Sequence, residues 1–193
     1  MSQGDDVTAD LSSIWYHGTF TPPPQGAPFS PFTHLGTREA AVELLTDRYC
    51  LDDCRGEARI FTFKVPIQLT LLEVPEFDSP DPRVWVSRLS KDKRFFKTPD
   101  DSVALASHVG SGSHEDRPVR LDRFGLWLKT KGYAGIQYVN EHEAVGSTSI
   151  AVADSAHLIA GPVETVDPLE LRALFEQVKD RPKYATCQAF PST

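Results

Sequence analysis

The stretch Gly135-Ile136-Gln137-Tyr138-Val139-Asn140-Glu141-His142-Glu143-Ala144-Val145-Gly146-Ser147-Thr148-Ser149-Ile150-Ala151-Val152 carries the strongest structural signal in this chain. Ile136, Tyr138 and Asn140 alternate with Gln137, Val139 and Glu141, a period of two that predicts a strand with one face turned inward. Ala144-Val145-Gly146-Ser147 supplies turn residues, and Ile150 and Val152 begin a return strand, so the segment reads as a hairpin. Glu141 and Glu143 fall two apart at the end of the first strand, a spacing that puts both carboxylates on one face. Like charges so close repel. A purely structural strand has little reason to place them there unless something cationic approaches.

Working outward, Ile14-Trp15-Tyr16-His17 reads as a short strand ending at Gly18, and residues 32–35 as another. Between them, the proline-rich segment 20–28 holds neither a helix nor a ladder. Thr37 is placed to cap a helix that runs to about Tyr49, with Glu39 in its first turn and Ala40, Ala41, Leu44 and Leu45 on its apolar side. Residues 59–65 and 69–74 predict strands, and residues 82–89 and 100–107 short helices. Leu121, Phe124, Trp127 and Leu128 recur at helical spacing, and Gly132 closes that helix. Asp154-Ser155-Ala156-His157 turns into a last strand, and Asp167-Pro168-Leu169 opens a final helix to about Lys179. The elements do not alternate strictly, which argues against a doubly wound parallel sheet. No Gly-x-Gly-x-x-Gly is present, so a dinucleotide site of the Rossmann kind is excluded.

Taken together, His17-Gly18-Thr19, Thr33-His34-Leu35-Gly36-Thr37 and the hairpin residues Tyr138, Asn140, Glu143, Gly146, Ser147 and Ser149 resemble the ADP-ribosyltransferase superfamily. Its members cleave the nicotinamide–ribose bond of NAD. The likeness is to compact bacterial and phage-type members, and it covers roughly residues 14–50 and 132–160. It implies an α+β fold in which two small, mainly antiparallel sheets form an NAD cleft flanked by helices. It also implies roles for individual residues. Glu143 would stabilise the oxocarbenium-like charge that develops on the ribose and hold the 2′-hydroxyl. Glu141 stands where arginine-modifying toxins of the superfamily position the acceptor. His17 would hold a ribose hydroxyl on the adenosine side, and the backbone at Gly18 would grip the nicotinamide carboxamide. Thr19 completes that NAD-binding signature, and His34 would line the nicotinamide pocket.

The pattern departs from the family's two common forms. His34 replaces the tyrosine of the His-Tyr-Glu form, and Ser147-Thr148-Ser149 follows the glutamate instead of standing on the second strand. A histidine at that place predicts pH-sensitive behaviour. The activity implied is mono-ADP-ribosyl transfer from NAD to a macromolecular acceptor, chiefly protein, by a bacterial effector, a toxin or a phage host-modifying enzyme. An NAD glycohydrolase and a non-catalytic binding module on the same fold stay open. An RNA 2′-phosphotransferase-like enzyme shares the fold, but the acidic chain argues against it.

Composition sets the remaining bounds. With 193 residues, 40% of them hydrophobic, the chain predicts one globular domain over 13–182, with a variable middle at 55–130 and tails at 1–12 and 183–193. A net charge of −7 disfavours non-specific nucleic-acid binding and favours a protein or small-molecule target. The local exception is the basic, aromatic segment 91–97, read as a solvated loop or as a contact for an acidic partner or for the NAD pyrophosphate. No apolar run is long enough to span a bilayer, and the polar first residues show no signal-peptide core, so a cytoplasmic location is expected. Cys50, Cys54 and Cys187 are too few and odd in number for a disulfide framework, and no ligand spacing predicts a metal site.

Overall fold

A computed structural model describes residues 14–25, 27–65, 69–77, 79, 81–89, 99–110 and 116–180. The predicted tails, most of the Gly-Ser-rich stretch after Gly110, the basic segment 91–97 and Cys187 lie outside the described residues. The elements in chain order are β1 (Ile14–Thr19), β2 (His34–Leu35), α1 (Arg38–Cys50), β3 (Ala58–Lys64), β4 (Leu71–Glu73), α2 (Pro82–Leu89), α3 (Pro99–Val109), α4 (Arg117–Thr130), β5 (Gly135–Val139), β6 (Thr148–Val152), β7 (Ile159–Val166) and α5 (Pro168–Val178). A 3₁₀ turn at Ser155–His157 precedes β7. The protein is α+β, with two small sheets and five helices among the described residues.

One sheet has the order β1-β3-β7 and is antiparallel throughout. The other has the order β2-β6-β5-β4, antiparallel except for the β4–β5 pair. A parallel pair needs a crossover, and α2, α3 and α4 lie within it. The segment 55–130 therefore supplies the central strand of the first sheet and the helical cover of the second.

Strand periodicity sorts the side chains into three cores. On β3, Ala58 and Ile60 point toward α1 and α5, where they pack with Ala41, Leu45 and Leu171. Phe63, on the opposite face, joins Trp15, Leu35, Ile150 and Val152 between the two sheets. On β5, Ile136 and Tyr138 face a third cluster formed with α2, α3 and α4 around Trp85. The Trp85 ring meets Phe32, Phe77 and Phe124 at centroid distances of 5.5–5.6 Å, and its indole N–H donates to the Ser79 carbonyl at 2.6 Å. That bond satisfies the indole N–H, which such a core would otherwise strand. The layers thus run from α1 and α5, through the two sheets, to the remaining helices.

The helix ends follow local chemistry. Thr37 accepts from the Ala40 amide at 3.2 Å and Asp167 from the Leu169 amide at 2.8 Å, each as an N-cap. Gly132 takes φ 85° after α4, as the sequence predicts for a closing glycine. Among the described residues, no helix is long and apolar enough to cross a membrane.

Candidate functional site

The two sheets meet along β1 and β2. The Tyr16 amide donates to the Gly36 carbonyl at 3.0 Å, and the Gly36 amide to the Tyr16 carbonyl at 2.9 Å. Beyond this junction opens a cleft of about 630 Å³. Its walls come from β1, the β2–α1 turn, one stripe of α1, the segment after β4, β5 and the loop before β6. Ala40, Ala41, Leu44 and Arg48 form the α1 stripe, because residues three and four apart share a helix face.

The cleft brings together His17, Gly18, His34 and Glu143. Thr19 lies outside its lining, and its hydroxyl accepts from the Thr21 amide at 3.1 Å. Glu141 also lies outside. The expectation that Glu141 and Glu143 share one strand face is corrected here, because β5 ends at Val139 and both carboxylates sit in the loop 140–147. Glu141 is exposed and lines a separate cavity of about 220 Å³ with Glu73, Glu76 and Gln137. Glu143 is half-buried and lines the main cleft.

Asn140 is the physical reason the strand stops. Its amide donates to the Ser147 carbonyl at 2.8 Å, and its carbonyl accepts from the Gly146 amide at 2.9 Å, which pinches the loop closed. Its side-chain Nδ2 donates to the hydroxyls of Ser147 and Ser149 at 2.9 and 2.8 Å. Ala144 and Gly146 then take positive φ, 44° and 87°, to reverse the chain. At Gly146 this conformation, and not crowding, calls for glycine, since nothing lies within 4 Å of an added Cβ.

Tyr138 pairs directly with Ser149 across β5 and β6, and His34 stands on the same face one strand further along. The Ser149 hydroxyl, which accepts from Asn140, bonds to the Tyr138 hydroxyl. Tyr138 in turn meets His34 Nδ1 at 2.6 Å. Where the Tyr138 hydroxyl donates to His34 Nδ1, a neutral His34 carries its proton on Nε2. His17 is set the opposite way. Its Nδ1–H donates to the His34 carbonyl at 2.9 Å, which leaves the Nε2 lone pair as an acceptor.

Burial governs the charges here. Desolvation pulls His34 down to about 4, and the positive charges of His17 and Arg117 push the same way. By surface area His34 is exposed where it lines the cleft, so water in the cleft weakens this effect. Desolvation also lowers His17, partly offset by its bond to the His34 carbonyl. Burial raises the Tyr138 phenol, the Ser149 bond opposes this, and the charges of Glu76 and Glu143 add to the rise. Near neutral pH the two histidines are neutral hydrogen-bonding groups and Tyr138 is a phenol.

Gly18 has a structural role of its own. A Cβ there would stand 2.5 Å from the Ala41 carbonyl oxygen and 2.9 Å from Leu45 Cγ. Glycine thus lets α1 lie directly on β1, in addition to opening the cleft wall. The sequence reading missed Glu43 and Tyr138 as parts of the site. Glu43 is a charged residue amid the apolar positions of α1, and that placement was the available signal. Among the described residues, no group of three or more His, Cys, Asp or Glu is arranged to hold a metal ion.

The fold and cleft define an α+β protein with a cavity of mixed polar and apolar lining at the junction of two packed sheets. No protein-family model matches the chain, and no curated protein matches it. Among solved structures, a chain of the M. tuberculosis MbcT-MbcA toxin-antitoxin complex is similar at 13% identity and a TM-score of 0.41, over 84% of this chain and 88% of that one. An anti-CRISPR protein is similar at 10% identity and a TM-score of 0.27, over 81% of this chain and 97% of that one. Likenesses at this level leave the functional argument to the residues of the cleft.

Proposed function

We propose that the chain is an NAD-dependent mono-ADP-ribosyltransferase with Glu143 as its catalytic carboxylate. The observation that carries this reading is the meeting of His17, His34 and Glu143 in one cleft, from segments far apart in sequence. The cleft volume of about 630 Å³ falls within the roughly 300–1,000 Å³ usual for small-molecule sites.

In this reading the C–N bond between ribose and nicotinamide breaks, and its electron pair leaves with nicotinamide. The leaving group is already cationic in NAD, so no strong general acid is needed. Positive charge develops on the ribose, and Glu143 offsets it from the cleft wall. The acceptor's lone pair then forms the new bond to the ribose carbon, and the acceptor gives up a proton. His17 Nε2 accepts from a ribose hydroxyl, and His34 Nε2–H donates to a carbonyl or hydroxyl oxygen of the dinucleotide. Both tasks suit neutral imidazoles. The acceptor is proposed to be a protein side chain. Glu141, on the far side of the loop, is available to a group approaching from outside the cleft.

The test is incubation of wild type and Glu143→Gln with labelled NAD and a bacterial lysate, following free nicotinamide and labelled macromolecules together. Wild type is expected to label a macromolecule, and Glu143→Gln to lose nicotinamide release by at least about a hundredfold. Nicotinamide release without label would make the protein a glycohydrolase. Equal turnover by wild type and Glu143→Gln would remove Glu143 from the chemistry. No turnover by either would leave a binding module.

A further inference from the structure

The loop 140–147 carries Glu143 and belongs to no helix or strand; the Asn140, Gly146 and Ser147 amides bond within it, while those of Glu141 and Ala144 bond outside it. Two partners arrive from distant parts of the chain. The Glu43 carboxylate, on α1, accepts from the Ala144 amide at 3.0 Å. The Glu76 carboxylate, beyond β4, accepts from the Glu141 amide. The two anchors bracket His142 and Glu143.

Glu43 is only 7% exposed. A helix buries a carboxylate at substantial cost unless hydrogen bonds compensate it, so the site is unusual for a merely solvated charge. Ala144 sits at φ 44°, a region that residues with a Cβ avoid unless their surroundings hold them there. The helix bearing Glu43 is itself held hard against β1 by the close approach at Gly18. Glu43 does not line the cleft, whereas Ala40, Ala41 and Leu44 of the same helix do.

We propose that Glu43 is a positioning residue for Glu143: its carboxylate holds the Ala144 amide, and through that peptide it sets where the Glu143 carboxylate stands. The inference rests on the NAD-cleaving reading of the cleft. A single rigid helix then provides both one wall of the cleft and the clamp on the loop that carries the catalytic group. Glu43 acts through the loop and not on the ligand, so its loss affects turnover more than substrate binding.

The experiment compares full-length wild type, Glu43→Ala and Glu43→Gln by NMR hydrogen exchange at the Ala144 amide and by kcat and KM for NAD cleavage. Glutamine keeps a carbonyl oxygen able to accept from Ala144. The Ala144 amide should be protected in wild type and Glu43→Gln and exchange rapidly in Glu43→Ala. In Glu43→Ala, kcat should fall by about a hundredfold with KM nearly unchanged, and Glu43→Gln should recover most of it. Equal exchange at Ala144 in wild type and Glu43→Ala would overturn the clamp. So would equal losses of kcat in both variants that track their thermal midpoints, because these would report stability alone. If wild type leaves NAD intact, the catalytic reading fails, and the exchange measurement still decides whether Glu43 holds the loop.

Discussion

A proton added to His34 would meet the His17 ring and the Arg117 guanidinium, and protein packed beside the ring displaces part of its water although the residue stays exposed where it lines the cleft. The folded protein therefore resists this proton, and His34 titrates near 4 instead of the usual 6.5. In the unfolded chain the same histidine binds its proton first as the pH falls. His34 thus contributes stability that is fully present above pH 6.5 and is lost as the pH falls toward 4. His17, also lowered by burial, acts in the same direction. The midpoint of urea unfolding should drop across this window in wild type, and His34→Gln should make the dependence shallower. Parallel curves for the two proteins would show that His34 is not the group responsible. Histidine at this position was visible in the sequence, and so was pH sensitivity in kind; its direction was not. That direction comes from desolvation and from the charges of His17 and Arg117, which only folding brings to the ring.

At the scale of elements, α1 has the most demanding placement. It is capped by Thr37, it lines the cleft with one stripe, and it touches β1 where Gly18 leaves room. In Gly18→Ala the new methyl would meet backbone at 2.5 Å, which no side-chain rotation relieves. The helix must shift, at a cost of about 1–3 kcal/mol. A lower thermal midpoint in calorimetry is the expected result, and an unchanged midpoint would mean that α1 moves freely on the sheet. Several elements were legible from local chemistry alone: the cap at Thr37, the Asp167-Pro168 helix start, the closing Gly132 and the period of two through Ile136 and Tyr138. The end of β5 was not. Continuing that alternation to Glu141 ignored the bonds from Asn140 to Ser147 and Ser149, which satisfy the chain better as a loop than as a longer ladder.

For the whole molecule, the core between the two sheets joins the layers. Phe63 is 2% exposed there and packs in the same cluster as Trp15, Leu35 and Ile150. Phe63→Ala should cost about 3–5 kcal/mol, a large share of the roughly 5–15 kcal/mol that holds a typical domain together. Trp15 lies between the sheets and Trp85 in the core under α2, α3 and α4, so tryptophan fluorescence samples both sides. Fluorescence and far-UV circular dichroism should report one coincident transition in wild type, and a lower midpoint in Phe63→Ala. Separate transitions would mean that the two sheets unfold independently.

Residue order and composition settled many local features of this protein: the approximate place of most strands and helices and several helix ends, though β2 and β4 are shorter than the segments 32–35 and 69–74 suggest. These follow from side-chain volume, backbone freedom and hydrogen bonds between near neighbours. Tertiary structure alone decided the site. It joined His34 to Tyr138 and Glu43 to Ala144 across more than a hundred residues, and it sent Glu141 and Glu143 into different cavities. No local periodicity encodes such contacts, because they depend on how whole sheets and helices pack, and packing is set by the entire core at once.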